Sequence, residues 1–197
     1  MQSLPTLPQR SLLERVSLGL AIGLMVIGGL TLAGWWLQMD TLLRPFPNQA
    51  ALKANAALAF LAIGLALLAL ELGKRTFSPV AILATIIGLL SLIQDVTNAD
   101  LRIDQFLVRD HLLIGNEFPG RMSAMIAAGL VLGSLVLVWC AHYRGAQARL
   151  FAEAVVGSIL ASAGLSTLLG YGAGLPAVYT WGTATATSPM AAIALGL

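Results

Sequence analysis

The chain has 197 residues, of which 58% are hydrophobic and only 10% are charged. A soluble domain carries about 25% charged residues, so this composition excludes a soluble globular protein and indicates an integral membrane protein. The net charge of +2 is too small and too dispersed to predict a nucleic-acid partner, and the single cysteine, Cys140, leaves no intrachain disulfide.

Five apolar runs are long enough to cross a bilayer, which takes about 20 residues. A sixth run begins at Pro189 and stops after roughly two turns. The first run is longer than a signal-peptide core and lacks a clean cleavage site, so we expect it to remain as an anchor. The fold class predicted is all-α integral membrane, a bundle of about six transmembrane helices with the last helix truncated. The five complete runs are Val16–Leu37, Ala54–Leu72, Pro79–Asp95, Met122–His142 and Leu150–Gly170.

A short polar lead followed by small residues occurs three times, and it places Asn55, Met125 and Met190 at equivalent positions. The spacings of 70 and 65 residues suit a membrane helix hairpin with its connecting loop. We therefore predict a bundle built from repeated helix hairpins. The expected division is an N-terminal anchor helix and outer linker at 1–49, a first hairpin repeat with its outer loop at 50–121, a second repeat at 122–186, and the start of a third at 187–197.

Two pairs of glycines are spaced four residues apart, Gly19 with Gly23 and Gly129 with Gly133. Each pair shares one helix face and permits close helix approach. We expect these faces to pack within the chain, with a subunit-dimer face as the alternative.

Few polar groups suggest chemistry inside the membrane. Glu71, Asp95 and Glu153 all lie within about one turn of a predicted helix end, where carboxylates reach the interface. Transport is therefore disfavoured, since transporters place polar groups at mid-depth. His111 and His142 fall on opposite sides of the membrane and cannot clamp one haem, so no metal site, cofactor or catalytic residue is predicted.

Aromatic residues gather near the predicted outer boundary. This placement is typical of an interfacial belt, and the alternative is an outward-opening pocket for a lipid-like or quinone-like ligand. The residues are Trp35, Trp36, Tyr171, Tyr179 and Trp181.

The loop after the third span is the most distinctive local sequence. Its apolar positions Leu101, Ile103 and Phe106 favour a short amphipathic helix on the membrane rim, with Asp100 near its N-cap. The alternative is a structured loop with solvated charges. Its length exceeds a hairpin turn, and we expect it to fold back as a lid over the outward mouth of the bundle, with some charges paired.

These residues resemble the N-terminal membrane region of bacterial sensor histidine kinases, which related diguanylate cyclases and PAS-domain signalling proteins also carry. That family repeats a Met-Ser-x-Asn-Thr-Ala-Leu lead before a Leu/Gly-rich helix. Asn55 keeps the Asn, whereas Met125 and Met190 replace it, so an Asn role is expected in the first copy only. The resemblance covers roughly residues 50 to 197 and rests on Gly88-Leu89-Leu90, Asp100-Leu101, Ile103-Asp104-Gln105, Pro119-Gly120-Arg121-Met122-Ser123, Gly170-Tyr171, Tyr179-Thr180-Trp181-Gly182 and Ser188-Pro189-Met190.

The resemblance implies a sensory input region in the bacterial inner membrane, with a kinase or cyclase output module beyond the last span. These 197 residues contain no such module, so we expect either part of a longer protein or a stand-alone relative. The alternative function is a non-catalytic accessory subunit of a larger photosynthetic or respiratory membrane assembly. The expected partners are the lipid bilayer and either a second copy or other membrane subunits. The candidate ligand-binding residues are Asn55, Asp100, Asp104, Arg109 and Arg121.

Short-loop Lys and Arg residues predict the topology, because cytoplasmic loops carry an excess of them. The N-terminus is assigned to the cytoplasm. The basic residues on the same side are Arg10, Arg15, Lys74, Arg75, Arg144 and Arg149. The basic residues assigned to the outside are Arg44, Lys53, Arg102, Arg109 and Arg121.

We expect a membrane-impermeant thiol reagent applied from outside to modify a cysteine placed at Asn116 and to spare one placed at Gly145. Both variants are made after replacement of Cys140. The reverse labelling pattern would overturn the orientation.

Overall fold

The computed structural model describes residues 12–45, 49–74, 78–112, 118–143, 146–180 and 185–197. These residues form eight helices and no strand. Arg10, Arg75, Asn116, Arg144, Gly145 and Trp181, which the sequence predictions involve, lie outside them. The helices are α1 Leu12–Trp36, α2 Asp40–Leu43, α3 Ala54–Glu71, α4 Ser78–Thr97, α5 Ala124–His142, α6 Ala146–Ala173, α7 Pro176–Tyr179 and α8 Pro189–Gly196.

Five of the helices, α1, α3, α4, α5 and α6, are long and apolar enough to cross a membrane. They coincide with the five complete runs predicted from hydropathy. Helix α8 is eight residues long, so within the described residues the count of spanning helices is five rather than six.

The long helices alternate in direction, which separates the bundle into two ends. We call one end the loop end and the opposite end the turn end. The described residues of the loop end are 37–45, 49–53, 98–112, 118–123, 174–180 and 185–188. Lys74 and Arg149 lie at the turn end, whereas Arg44, Lys53 and Arg121 lie at the loop end. These residues therefore lie at opposite ends of the bundle, and which end faces the cytoplasm stays a prediction.

Three antiparallel helix pairs form the framework: α1 with α3, α4 with α5, and α6 with α8. In each pair a glycine of the first helix meets the backbone of the second. A Cβ on Gly28 would lie 2.6 Å from the Ala57 carbonyl oxygen, and one on Gly88 would lie 2.8 Å from that of Ala127. Gly164 meets the Ala192 carbonyl oxygen in the same way.

This pairing differs from the repeat unit predicted from the sequence. The prediction joined each lead helix to the helix after it, as in α5 with α6. The closer packing joins each lead helix to the helix before it, across a long loop. The reason is steric, because the small residues of the lead, Ala57, Ala127 and Ala192, are the positions that the preceding glycine approaches.

The four glycines of the predicted faces differ in their surroundings. Gly129 packs against Leu195 of α8 and Leu160 of α6, and Gly133 makes an ordinary contact with Leu160. A Cβ on Gly23 would approach the Leu197 side chain. In the described part of the chain, no other helix comes within 4 Å of a Cβ built on Gly19, and packing at Gly19 stays a prediction.

Helices α1 and α3 instead approach through two reciprocal glycines. Gly28 of α1 faces Ala57 and Leu61, while Gly64 of α3 faces Ala21 and Met25. Because the helices are antiparallel, the two close contacts lie at different depths and hold the pair along much of its length.

We expect Gly28→Ala to destabilise the protein by about 1–3 kcal/mol, because the added methyl group must push α1 away from α3. Its matched control is Gly29→Ala in the same helix, since nothing lies within 4 Å of a Cβ at Gly29. Thermal unfolding in detergent measures both variants. Equal unfolding midpoints for the two would contradict the close contact at Gly28.

Candidate functional site

The lead helices begin in the same way at the loop end. Residues Lys53, Ser123 and Ser188 precede α3, α5 and α8 with nearly identical extended backbone angles. The hydroxyls of Ser123 and Ser188 accept hydrogen bonds from the backbone N–H three residues later, which caps each helix. The Ser123 hydroxyl also hydrogen-bonds the Thr187 hydroxyl at 2.7 Å, joining two of the three leads.

Asp104 lies buried where three helix ends meet. Its carboxylate accepts hydrogen bonds from Asn55 Nδ2 at 3.4 Å, Gln94 Nε2 at 2.6 Å and Arg121 Nε at 3.2 Å. Asn55 belongs to the first turn of α3, Gln94 to the last turns of α4, and Arg121 to the segment before α5. One carboxylate therefore ties the ends of three long helices together, and we call these four residues the Asp104 hub.

Arg121 extends the hub in other directions. Its Nη2 donates to the Ala99 carbonyl oxygen at 3.0 Å, and its Nη1 lies 3.8 Å from Asp95 Oδ1. The guanidinium stands 4.0 Å over the centre of the Phe118 ring, a distance at which a cation and an aromatic face attract. Arg121 is 3% exposed, so this side chain is held on every side.

A second buried ion pair fixes the loop to α3. Lys53 Nζ donates to Asp110 Oδ2 at 2.6 Å, and the same oxygen accepts from the Gly120 backbone N–H at 2.9 Å. Gly120 has a φ of +80°, and a Cβ there would lie 2.5 Å from the Asp104 carbonyl oxygen. Glycine is needed at this point both for its backbone angle and for the close approach.

The two buried carboxylates respond differently to their surroundings. Burial raises the pKa of Asp104, and the hydrogen bonds of Arg121 and Gln94 counter that rise only in part. Burial also raises the pKa of Asp110, but the hydrogen bond and charge of Lys53 outweigh it, so the pKa of Asp110 lies below its ordinary value. Asp110 is thus the firmly ionised member, and Asp104 is the more easily protonated one.

A polar cleft of about 300 Å³ opens beside the hub. The Asp100 carboxylate accepts the Arg102 backbone N–H at 2.8 Å. This turn holds Arg102 at a φ of +58°, a conformation that L-residues other than Asn and Asp seldom adopt. The lining residues are Asp100, Arg102, Asp104, Gln105, Arg109, Phe118, Pro119 and Arg121.

The five candidate ligand-binding residues converge at this place. Asp100, Asp104, Arg109 and Arg121 line the cleft, and Asn55 hydrogen-bonds Asp104 beneath it. The described part of the loop contacts the bundle through Asp104 and Asp110, whose carboxylates are buried and paired. The predicted amphipathic helix is absent from the described part of this loop, because Asp100 forms a turn with Arg102 where an N-cap was expected.

Sequence reasoning missed Gln94, Lys53 and Asp110 as members of the site. Gln94 is fully buried near the end of α4, and an uncharged amide among apolar neighbours does not indicate a site in the sequence. The sequence does not reveal that Lys53 pairs with Asp110, because the two residues are 57 positions apart and meet only in the folded chain.

The aromatic residues do not form one uniform belt. Trp36 is exposed, but Trp35 is buried, and its Nε1 donates to the Leu52 carbonyl oxygen at 2.9 Å. Tyr171 and Tyr179 stack with centroids 3.8 Å apart. The belt interpretation is therefore wrong for Trp35, which packs inside the loop end.

The charged side chains at the loop end can bind a ligand and interact with one another. Among the described residues, no three His, Cys, Asp or Glu side chains gather as a metal site. His111 contacts Asp40 and the edge of Trp35 at the loop end, and His142 lies at the turn end.

No protein-family model matches the chain, and no curated protein or solved structure matches it. The resemblance to sensor input regions therefore stays a prediction.

We expect Asp110→Asn to destabilise the protein by about 3 kcal/mol, because it removes the carboxylate that pairs with the buried Lys53. Asp100→Asn, which neutralises an exposed acid of the same loop, is the control and should change stability little. Unfolding in detergent measures both, and equal losses would contradict the pairing.

The pH dependence follows from the lowered pKa of Asp110. Its stabilising contribution is fully present above the ordinary value of 3.8 and is lost as the pH falls below 3.8 through the folded-state pKa. We expect Asp110→Asn to lack this acid-linked loss, which unfolding measured at several acidic pH values will reveal.

Proposed function

We propose that the chain is the membrane-embedded sensory input region of a bacterial signal-transduction protein of the sensor kinase or diguanylate cyclase type. It lies in the inner membrane with a cytoplasmic N-terminus and with the loop end outside. These residues are non-catalytic, and the kinase or cyclase activity belongs to an output module.

The observation that carries this proposal is the Asp104 hub. A sensor must convert a local event into a rearrangement of spanning helices. Asp104 hydrogen-bonds one residue of α3, one residue of α4 and Arg121, which precedes α5. The same carboxylate borders the polar cleft. A change at the cleft therefore acts on three helix ends at once.

The energetics of the hub suit a device with two states. A ligand shifts a conformational equilibrium only by its difference in affinity for the two states. A ligand that draws Arg121 from Asp104, or a proton taken up by Asp104, changes the balance of a buried charge pair. Losing such a partner costs several kcal/mol, which is enough to move helix ends that weaker contacts hold.

The glycine contacts supply the route to the turn end. Backbone contact at Gly28, Gly88 and Gly164 couples each helix to its neighbour without intervening flexible side chains. A displaced helix end is expected to move its paired helix as a unit, because close-packed surfaces do not deform continuously.

The alternative function is a non-catalytic accessory subunit of a larger membrane complex, and a specific feature favours it. An apolar groove of about 200 Å³ opens beside α8, with Leu137, Val156 and Gly157 in its wall. Only 11% of the α6 span is buried, compared with 56% for α3. A helix of a partner subunit could cover this face.

Spin labels at the turn end test the sensor proposal. The labels are attached at Leu72→Cys and His142→Cys in a protein that also carries Cys140→Ser. The distance between the labels is measured with and without the further substitution Asp104→Asn. Asp40→Asn, which neutralises an exposed carboxylate at the loop end, is the matched control.

We expect Asp104→Asn to shift the interspin distance by about 1–2 Å, the size of helix shifts in switching proteins, and Asp40→Asn to leave it unchanged. Identical distances in all three proteins would contradict the sensor proposal. Stoichiometric co-purification with other subunits from the native membrane, at an intact mass near 20.6 kDa, would favour the accessory subunit.

A further inference from the structure

The polar cleft carries more positive than negative charge that is free to meet a ligand. Asp104 is committed to Arg121, and one oxygen of Asp100 accepts the backbone N–H of Arg102. Among the described residues, the guanidinium groups of Arg102 and Arg109 have no hydrogen-bond or ion-pair partner. The lining contains three arginines against two aspartates, so an anion entering the cleft meets a net attraction.

The loop backbone holds one of these arginines in place. Arg102 adopts a left-handed backbone angle at φ +58°, which residues of this type seldom adopt. The Asp100 carboxylate stabilises that turn. The Arg102 side chain borders the same cleft as Arg109, which lies seven positions further along the chain.

The lining of the cleft is partly apolar, because Phe118 and Pro119 contribute to it. The Arg121 guanidinium stands over the Phe118 ring and is fixed by Asp104, Asp95 and the Ala99 carbonyl oxygen. Two guanidinium groups, unpaired among the described residues, and an apolar surface thus line the same cleft, a combination that small-ligand sites commonly show.

We propose that the cleft binds an oxyanion group, a phosphate ester or a carboxylate, between Arg102 and Arg109. This proposal names the ligand class of the same site on which the proposed function rests. Guanidinium groups form paired, charge-assisted hydrogen bonds with both kinds of anion. The cleft volume of about 300 Å³ is large enough for the anionic group and a small organic group attached to it.

Two sources of such an anion are compatible with the position of the cleft. Phe106 is 85% exposed and Val96 is 82% exposed near the same end of the bundle. Exposed apolar side chains beside basic groups are typical of the depth where lipid headgroups lie. A lipid phosphodiester and a water-soluble oxyanion would use the same two arginines.

The test measures anion binding to the full chain in two arms. In the soluble arm, glycerol 3-phosphate and succinate are titrated calorimetrically against the protein in neutral detergent. In the lipid arm, nanodiscs of phosphatidylcholine containing phosphatidylglycerol are compared with nanodiscs of phosphatidylcholine alone, and bound lipid is counted by native mass spectrometry.

The variants are Arg102→Gln and Arg109→Gln, and Arg44→Gln is the control. Arg44 is a loop-end arginine that pairs with Asp40 and does not line the cleft. We expect each cleft variant to weaken binding in at least one arm by about tenfold, the effect of losing one charge-assisted hydrogen bond. Arg44→Gln should bind like the unmodified protein, with all three variants folded as judged by their unfolding midpoints.

Binding in the soluble arm alone identifies a dissolved oxyanion, and binding in the lipid arm alone identifies a headgroup. No binding in either arm, or equal weakening by Arg44→Gln, would overturn the oxyanion assignment. The spin-label distances keep this result separate from the proposed function. If the cleft binds an anion but Asp104→Asn does not change the interspin distance, the binding site is supported and the sensor proposal is contradicted. If the distance changes but no anion binds, the sensor proposal is supported and the oxyanion site is contradicted.

Discussion

Two buried carboxylates at one end of the bundle, Asp104 and Asp110, determine how the loop end is built. An ionised carboxylate removed from water needs charged or N–H partners, or the folded state loses several kcal/mol. Asp110 finds Lys53 and the Gly120 backbone, and Asp104 finds Arg121, Gln94 and Asn55. Meeting those requirements brings residues from three helix ends together and folds the long loop back over them.

The helices beneath the loop end depend on a different interaction. Inside a bilayer, apolar side chains gain little by leaving lipid for protein, so helix association relies on close packing. Glycines at Gly28, Gly64 and Gly88 allow backbone contact with the neighbouring helix, and the Thr85 and Ser134 hydroxyls add a 2.7 Å hydrogen bond between α4 and α5. The helices are therefore held closely together where the glycines lie, whereas Asp104, a group that can gain or lose a proton, lies at the loop end.

The polar cleft lies where these two parts of the structure meet. Arg102 and Arg109 line the cleft, and Arg121 and Asp104 connect it to the helix ends. The raised pKa of Asp104 means that its ionised form is held at some cost. The ionisation of such a group is more sensitive to a nearby charge than that of Asp110, whose pKa is lowered by its partners.

The sequence determined the features that depend on local composition and spacing. Hydropathy located five helices that are long and apolar enough to cross a membrane, since the bilayer thickness fixes the length of such a run. The lead motif placed the starts of α3, α5 and α8, because its residues act within a few positions, and in α5 and α8 a serine caps the helix. The charges of one long loop predicted Asp100, Asp104, Arg109 and Arg121 as candidate site residues, and the repeated lead added Asn55.

The tertiary structure decided the features that join distant parts of the chain. Gly28 and Gly88, rather than Gly19, make the close helix contacts, and a spacing of four residues does not reveal which helix face meets a neighbour. Lys53 pairs with Asp110, and Gln94 with Asp104, only because antiparallel packing brings their helix ends to one side. Local sequence limits which residues can bond, but the direction and register of packed helices choose the partners.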